Sequence, residues 1–202
     1  TLSAQTEAFS ITGSSNADTI TGGTGADTIV GGGGADTISV GGSDDNVRDA
    51  VRFAAASDYG DTVNNFDVTG TSTQSDVVQF DGALNTLFDD VTNDDFFTFA
   101  SGNGVNNDNR AVNLNTVEAL YLSGTNSEGV SNVSLGSASA VAAEFNNEFA
   151  ITATNGQDAL LVINDTDGSD FAVWQYTEST GGGEISAAAL TAAGILRSLQ
   201  CH

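Results

Sequence analysis

Three aspartates, Asp18, Asp27 and Asp36, recur at intervals of nine residues, each within the tetrapeptide ADTI and each followed two positions later by Ile20, Ile29 or Ile38. Short carboxylates in register with glycine-rich turns supply hard oxygen ligands, and the chemistry they suggest is coordination of a divalent cation. The repeats read GSSNADTIT over 13–21, GGTGADTIV over 22–30 and GGGGADTIS over 31–39, and Ile11 fits the apolar slot of a partial copy upstream. After Ser39 the frame slips. Val40 is an extra residue, and GGSDDNV at 41–47 is a degraded copy. If a turn absorbs the slip, Asn46 takes the ligand slot; otherwise Asp45 does.

The spacing dictates the elements that must carry these residues. A three-residue stretch around each ADTI predicts a short strand with the β-branched Ile turned inward. The glycine-rich half must then reverse the chain, and glycine reaches positive φ without steric cost. A chain that turns every nine residues closes a coil in about eighteen, so alternate repeats stack about 4.8 Å apart. Asp18 then lies over Asp36, and Asp27 faces Asp45 or Asn46. Carboxylates that close repel unless a cation enters. With the turn carbonyls of Gly13, Ser15, Gly22, Thr24, Gly31, Gly33 and Gly42 they form an oxygen cage suited to Ca²⁺, in several copies. Mg²⁺ fits less well, because it demands a small octahedron and dehydrates reluctantly.

These residues resemble the RTX family of calcium-binding repeats, GGxGxDxUx. GGTGADTIV and GGGGADTIS match every defined position, whereas Ser14 and Asn16 replace glycines in the first copy. The resemblance implies a parallel β-roll that folds as calcium binds after export. Residues 49–81 are similar to the closing module that often follows such repeats. Gly60, Asp61, Thr62, Val63 and Phe66 stand in its turn and aromatic positions, and Asp76, Val77, Val78 and Phe80 follow. The resemblance makes Asp61 and Asp76 further calcium ligands; read as residues, they serve equally as turn and strand-flank aspartates. Ile185, Ser186, Ala187, Ala188, Leu190 and Thr191 resemble the ISAAELT-like tail of type I secretion substrates, with Ala189 where Glu is usual. That likeness implies an uncleaved C-terminal export signal, passage through an ABC transporter, and a place outside the cell or on its surface.

Elsewhere the patterning is mostly that of strands. Val51 and Phe53, Val63, and Val78 and Phe80 mark strands after the repeats; FFTFA at 96–100, a pair within 112–122, and FAITAT, ALLVIN and FAVWQY mark more. Ala138, Val141, Ala142 and Phe145 fall at helical spacing with Ser137 or Ser139 as N-cap. A second short helix is expected from Ser186, with Ile185, Ala189, Ala192, Leu196 and Leu199 near one face. In NDTDGSD at 164–170, Asp165 and Asp167 imitate the start of a calcium loop, but position twelve is Tyr176 rather than the bidentate Glu, and a hairpin is the stronger reading. The expected organisation is a β-roll over 1–48, a β-rich closing module over 49–110, and a β-rich secretion or assembly region over 111–202.

Charge and composition narrow the function. Twenty-seven acidic residues oppose four basic ones, a net charge of −23, and 20 of the acids are Asp. Four scattered arginines build no phosphate-binding patch, so nucleic acid is excluded as a partner. No run of about 18 apolar residues marks a transmembrane helix. Cys201 stands alone, which excludes a disulfide scaffold. The single histidine, His202, sits at the terminus, so neither a Ser–His–Asp triad nor a histidine-ligated zinc site can be assembled. The expectation is therefore a non-enzymatic, extracellular, calcium-binding structural protein that associates with copies of itself. The alternatives are the calcium-binding module of a larger hydrolase or toxin, and an adhesin.

Overall fold

In the computed structural model, residues 4–42, 46–67, 74–82, 84, 99–102, 110–117, 119–122, 135–165 and 170–197 are described. They are mostly β-structure with one α-helix. The chain divides into two compact units, one formed by Thr1–Asn85 with Ala193–His202, the other by Thr86–Ala192.

The first unit begins with the strands β1 (Ser10–Thr12), β2 (Thr19–Thr21), β3 (Thr28–Val30) and β4 (Thr37–Ser39). Three longer-spaced strands follow: β5 (Ala50–Phe53), β6 (Asp61–Asn64) and β7 (Val77–Phe80). They are dealt alternately into two parallel sheets. β1, β3, β5 and β7 pair in that order, and β2, β4 and β6 pair likewise. The register carries the repeat into three dimensions. Ile11, Ile29, Val51 and Val78 form one rank across the first sheet, and Ile20, Ile38 and Val63 form one across the second. Ile29, Ile38, Val51 and Val63 are fully buried. Phe53 and Tyr59 meet edge to face, and Phe53 stacks on Phe80 with ring centroids 5.9 Å apart.

The stretch expected to be a helix from Ser186 is instead a strand. Ser186 accepts the Ala188 N–H and caps one 3₁₀ turn over Ala187–Ala189, after which β14 (Leu190–Arg197) runs extended. Gly194–Arg197 pairs in parallel with β6, and Leu196 lies opposite Val63 with no exposure. A ladder that satisfies the backbone while burying Leu196 outweighs the intrinsic preference of an alanine-rich segment for helix, which is only a few tenths of a kcal/mol per residue. Leu199 lies outside the described residues.

The second unit holds β8 (Phe99–Gly102), β10 (Ala119–Leu122), β12 (Asp158–Asn164) and β13 (Asp170–Thr177). β10 lies between β8 and β12 in parallel, and β12 and β13 form an antiparallel pair. β9 (Arg110–Asn113) pairs with β11 (Phe149–Thr152) in a separate parallel ribbon. The helix α1 spans Ala138–Glu148, with Ser137 as the N-cap, its side chain accepting the Ala140 N–H. The expected apolar face is the buried one: Val141, Ala142 and Phe145 are inside. Leu120, Leu161, Ile163 and Tyr176 complete a conventional apolar interior, and Trp174 donates its Nε1–H to the Leu135 carbonyl.

Candidate metal centre

At the entrances of β2, β3, β4 and β5 an aspartate makes the same two main-chain contacts with the next strand of its sheet. The Asp27 N–H donates to Asp49 Oδ1 at 2.7 Å, and the Asp27 carbonyl accepts the Ala50 N–H at 2.9 Å. Asp49 repeats this with Asp76 Oδ1 and the Val77 N–H. In the other sheet Asp18 N–H donates to Asp36 Oδ1 and Asp36 N–H to Asp61 Oδ1, while their carbonyls accept the N–H groups of Thr37 and Thr62. Two ladders result, Asp27–Asp49–Asp76 and Asp18–Asp36–Asp61. Phe9 occupies the slot before Asp27 and lodges its N–H on Asp27 Oδ1.

This register corrects the reading of the slipped copy. Asp49, not Asn46 or Asp45, stands opposite Asp27. Asn46 adopts a left-handed conformation (φ 61°), which asparagine tolerates better than most residues, and its Oδ1 accepts from Gln74 Nε2. It is a turn residue. Asp45 lies outside the described residues. Asp49 follows Asp27 by 22 residues, and the strand begins at Ala50.

With the Oδ1 atoms committed to the main chain, the Oδ2 atoms are what a cation could use. Asp18 Oδ2 accepts from Ser14 N and Oγ, and these bonds hold its carboxyl below the usual range. Asp27 Oδ2 accepts from Gly23 N, and Asp76 Oδ2 from Asp67 N. Asp36 Oδ2 and Asp61 Oδ2 accept nothing, although both residues are only 2 % exposed. Both point at Gly31. A Cβ placed there would stand 2.8 Å from Asp61 Oδ2 and closer still to Asp36 Oδ2. Only glycine leaves that cradle open. Burial pushes the Asp61 carboxyl up to about 7, the charges of Asp36 and Asp58 add to the push, and the Asp36 N–H opposes it. Two orphaned, buried carboxylate oxygens around a glycine gap are costly without a cation. The donor set is all oxygen, as Ca²⁺ prefers. No three His, Cys, Asp or Glu side chains converge among the described residues, so main-chain carbonyls must complete any cage.

The other expected ligands are placed as follows. Gly13 and Gly22 abut the carbonyls of Gly31 and Val40, each just past the end of the next strand of its sheet. Thr24 donates its N–H to the Gln5 carbonyl, and Gly33 donates to that of Ser14. Ser15 is exposed and Gly42 half-buried. Asp165 begins the β12–β13 connection, its N–H donating to the Asp170 carbonyl at 2.9 Å, as a hairpin requires. Asp167, Cys201 and His202 fall outside the described residues.

Sequence reasoning missed Asp49, Asp58 and Asp67. Asp58 caps a 3₁₀ turn, its Oδ2 accepting from Ala54 and Ala55, and it adds charge beside Asp61. Part of the signal for Asp49 was present: Asp followed two residues on by Ile or Val occurs at 18, 27, 36, 49, 61 and 76 whatever the turn length, but it occurs at 45 and 89 too and so does not choose Asp49 over Asp45.

A family model described as the RTX calcium-binding nonapeptide repeat, in four copies, matches residues 12–47. No curated protein and no solved structure matches the chain. Residues 12–47, which supply the entrance aspartates Asp18, Asp27 and Asp36, are a run of RTX calcium-binding nonapeptide repeats.

Proposed function

We propose that the chain is a calcium-binding structural protein of the cell exterior, such as a surface-layer, matrix or filament subunit, which orders and self-associates when Ca²⁺ binds. In this reading the two parallel sheets of the first unit are the walls of a β-roll. Asp36 and Asp61, with turn carbonyls, hold one of several ions. The orphaned Oδ2 atoms at Gly31 carry the proposal, because they ask for a cation where no side chain supplies one. The net charge of −23 supports it further, since a polyanion of this kind repels itself until divalent ions enter. Export through a type I ABC transporter is part of the same reading. It is supported by the repeats and by the resemblance of 185–191 to type I tails. No helix among the described residues is long and apolar enough to cross a membrane.

A calcium titration followed by circular dichroism and electron microscopy tests this. Ca²⁺ is expected to increase β-structure and produce assemblies that EDTA dissolves. A spectrum indifferent to both would refute the proposal. The second reading, a calcium module of a larger hydrolase or toxin, is favoured by the family match covering only 12–47. A reading frame continuing upstream into a catalytic domain decides for it. A stand-alone adhesin would show saturable binding to a glycan or to ice.

A further inference from the structure

The copies of the repeat do not treat their aspartates alike. In the first, Ser14 stands where the pattern has glycine and puts two donors on one oxygen. Asp18 Oδ2 accepts the Ser14 N–H at 2.7 Å and the Ser14 hydroxyl at 2.8 Å. The direction of the hydroxyl bond is fixed, because an ionised carboxylate cannot donate. Ser14 Oγ in turn accepts the Asn16 N–H at 3.2 Å, and the Ser14 carbonyl accepts the Gly33 N–H at 2.9 Å. In the second copy Asp27 Oδ2 keeps one donor, the Gly23 N–H. In the third, Asp36 Oδ2 has none.

The third copy cannot acquire the donor that the first one has. Gly32 holds the place of Ser14 there, with a left-handed φ of 94°, and a Cβ on it would collide with the Ser14 carbonyl. The surroundings differ as well. Over Gly31 two carboxylate oxygens converge, from Asp36 and Asp61, whereas over Gly13 the Asp18 oxygen meets the Gly31 carbonyl. Asp18 is half-buried, but Asp36 and Asp61 are 2 % exposed, so water reaches the first carboxylate and is shut out from the other two. Resting on the calcium-dependent reading above, we infer that Ser14 makes the first copy a metal-free turn: its two donors replace the cation at Asp18, and the ion that the spacing would set between Asp18 and Asp36 is held between Asp36 and Asp61. A divalent ion gains most where two desolvated charges lack donors. It gains least at a single wet carboxylate that already takes two charge-assisted bonds. One ion then joins the third copy to a strand entrance beyond the repeats.

Equilibrium dialysis of the full chain over a Ca²⁺ series, counting ions bound per chain, tests this, with circular dichroism in Ca²⁺ run on each variant. Asp18→Asn should bind as many ions as the wild type and give the same spectrum. Asp36→Asn should bind at least one fewer. Ser14→Gly should take up one further, weaker ion, and adding Asp18→Asn to it should remove that ion again. An Asp18→Asn chain that keeps the calcium-induced spectrum but loses an ion overturns the inference. A Ser14→Gly chain that gains none overturns it too, and that count alone decides if Asp18→Asn does not reach the calcium-bound spectrum. A wild type that binds no Ca²⁺, or an Asp36→Asn chain that keeps every ion, instead refutes the reading on which the inference rests.

Discussion

The two units solve the problem of a buried acid in opposite ways. In the first, Asp27, Asp36, Asp49, Asp58, Asp61, Asp67 and Asp76 are all buried, and the ladder orients them without satisfying Asp36 Oδ2 or Asp61 Oδ2. In the second, Glu178 is buried beside Tyr176 and fully served: it accepts from the Tyr176 hydroxyl at 2.5 Å, from Thr180 N and Oγ1, and from Gly181 N. Burial alone would raise the Glu178 carboxyl; these bonds overcome it and bring it down to about 2. Burial, and then the bond to Glu178, raises the Tyr176 hydroxyl. The Asp36–Asp61 site therefore asks for a cation from outside, whereas Glu178 has its donors within the fold. Charge that is hydrogen-bonded stabilises a fold; charge that is merely oriented waits for a ligand.

The largest expected consequence is a chain that loses half its order on chelation. With EDTA, amide hydrogen exchange should become fast throughout β1 to β7 while β12, β13 and α1 stay protected; uniform protection in both units would erase the contrast. Leu161→Ala, at a site with no exposure, should cost about 2–5 kcal/mol in the calcium-independent unfolding transition and leave calcium affinity alone. Asp49→Ala should lower calcium affinity and cost about 1–3 kcal/mol by stranding the buried Asp27 N–H. Asn46→Ala should keep the calcium stoichiometry, and equal losses from the two changes would contradict the register.

The finest distinction is pH dependence, and its sign differs between the units. Asp61 in the metal-free fold titrates near 7, above its ordinary 3.8. Its contribution is thus full below 3.8 and lost as pH rises through about 7, so chelated protein should keep more of β1 to β7 at about pH 5 than at about pH 8. Glu178 titrates near 2, below its ordinary 4.5. Its contribution is present above 4.5 and disappears as pH falls toward 2. Glu178→Gln should abolish that acid sensitivity at a cost of about 1–3 kcal/mol, read by thermal melts.

How much of this was legible in the sequence follows from how local each feature is. The strands around Ile20, Ile29 and Ile38, the Ser137 cap and the β12–β13 hairpin are written in neighbouring residues, and the chain states them directly. Strict counting by nines failed at Asp49 because turn length is free once the strand entrance is fixed; the Asp and the apolar residue two places on are kept, but Asp45 and Val47 share that pattern, so only the strand register singles out Asp49. The Ala187–Leu196 segment misled because a strand that joins a ladder far away in sequence, at Asp61–Asn64, takes its conformation from that partner rather than from its own propensity. The unsatisfied oxygens at Gly31 could not be foreseen at all. They arise from where two carboxylates 25 residues apart end up.

The ladder bonds also have a direction. In every one, the donor belongs to the earlier strand and the carboxylate to the later. An earlier strand therefore has no acceptor for its entrance amide until the strand after it in the sheet is in place. That dependence runs from the later strands back toward the earlier ones, and in the first sheet it begins at Asp67 and Asp76, each bonded to the other.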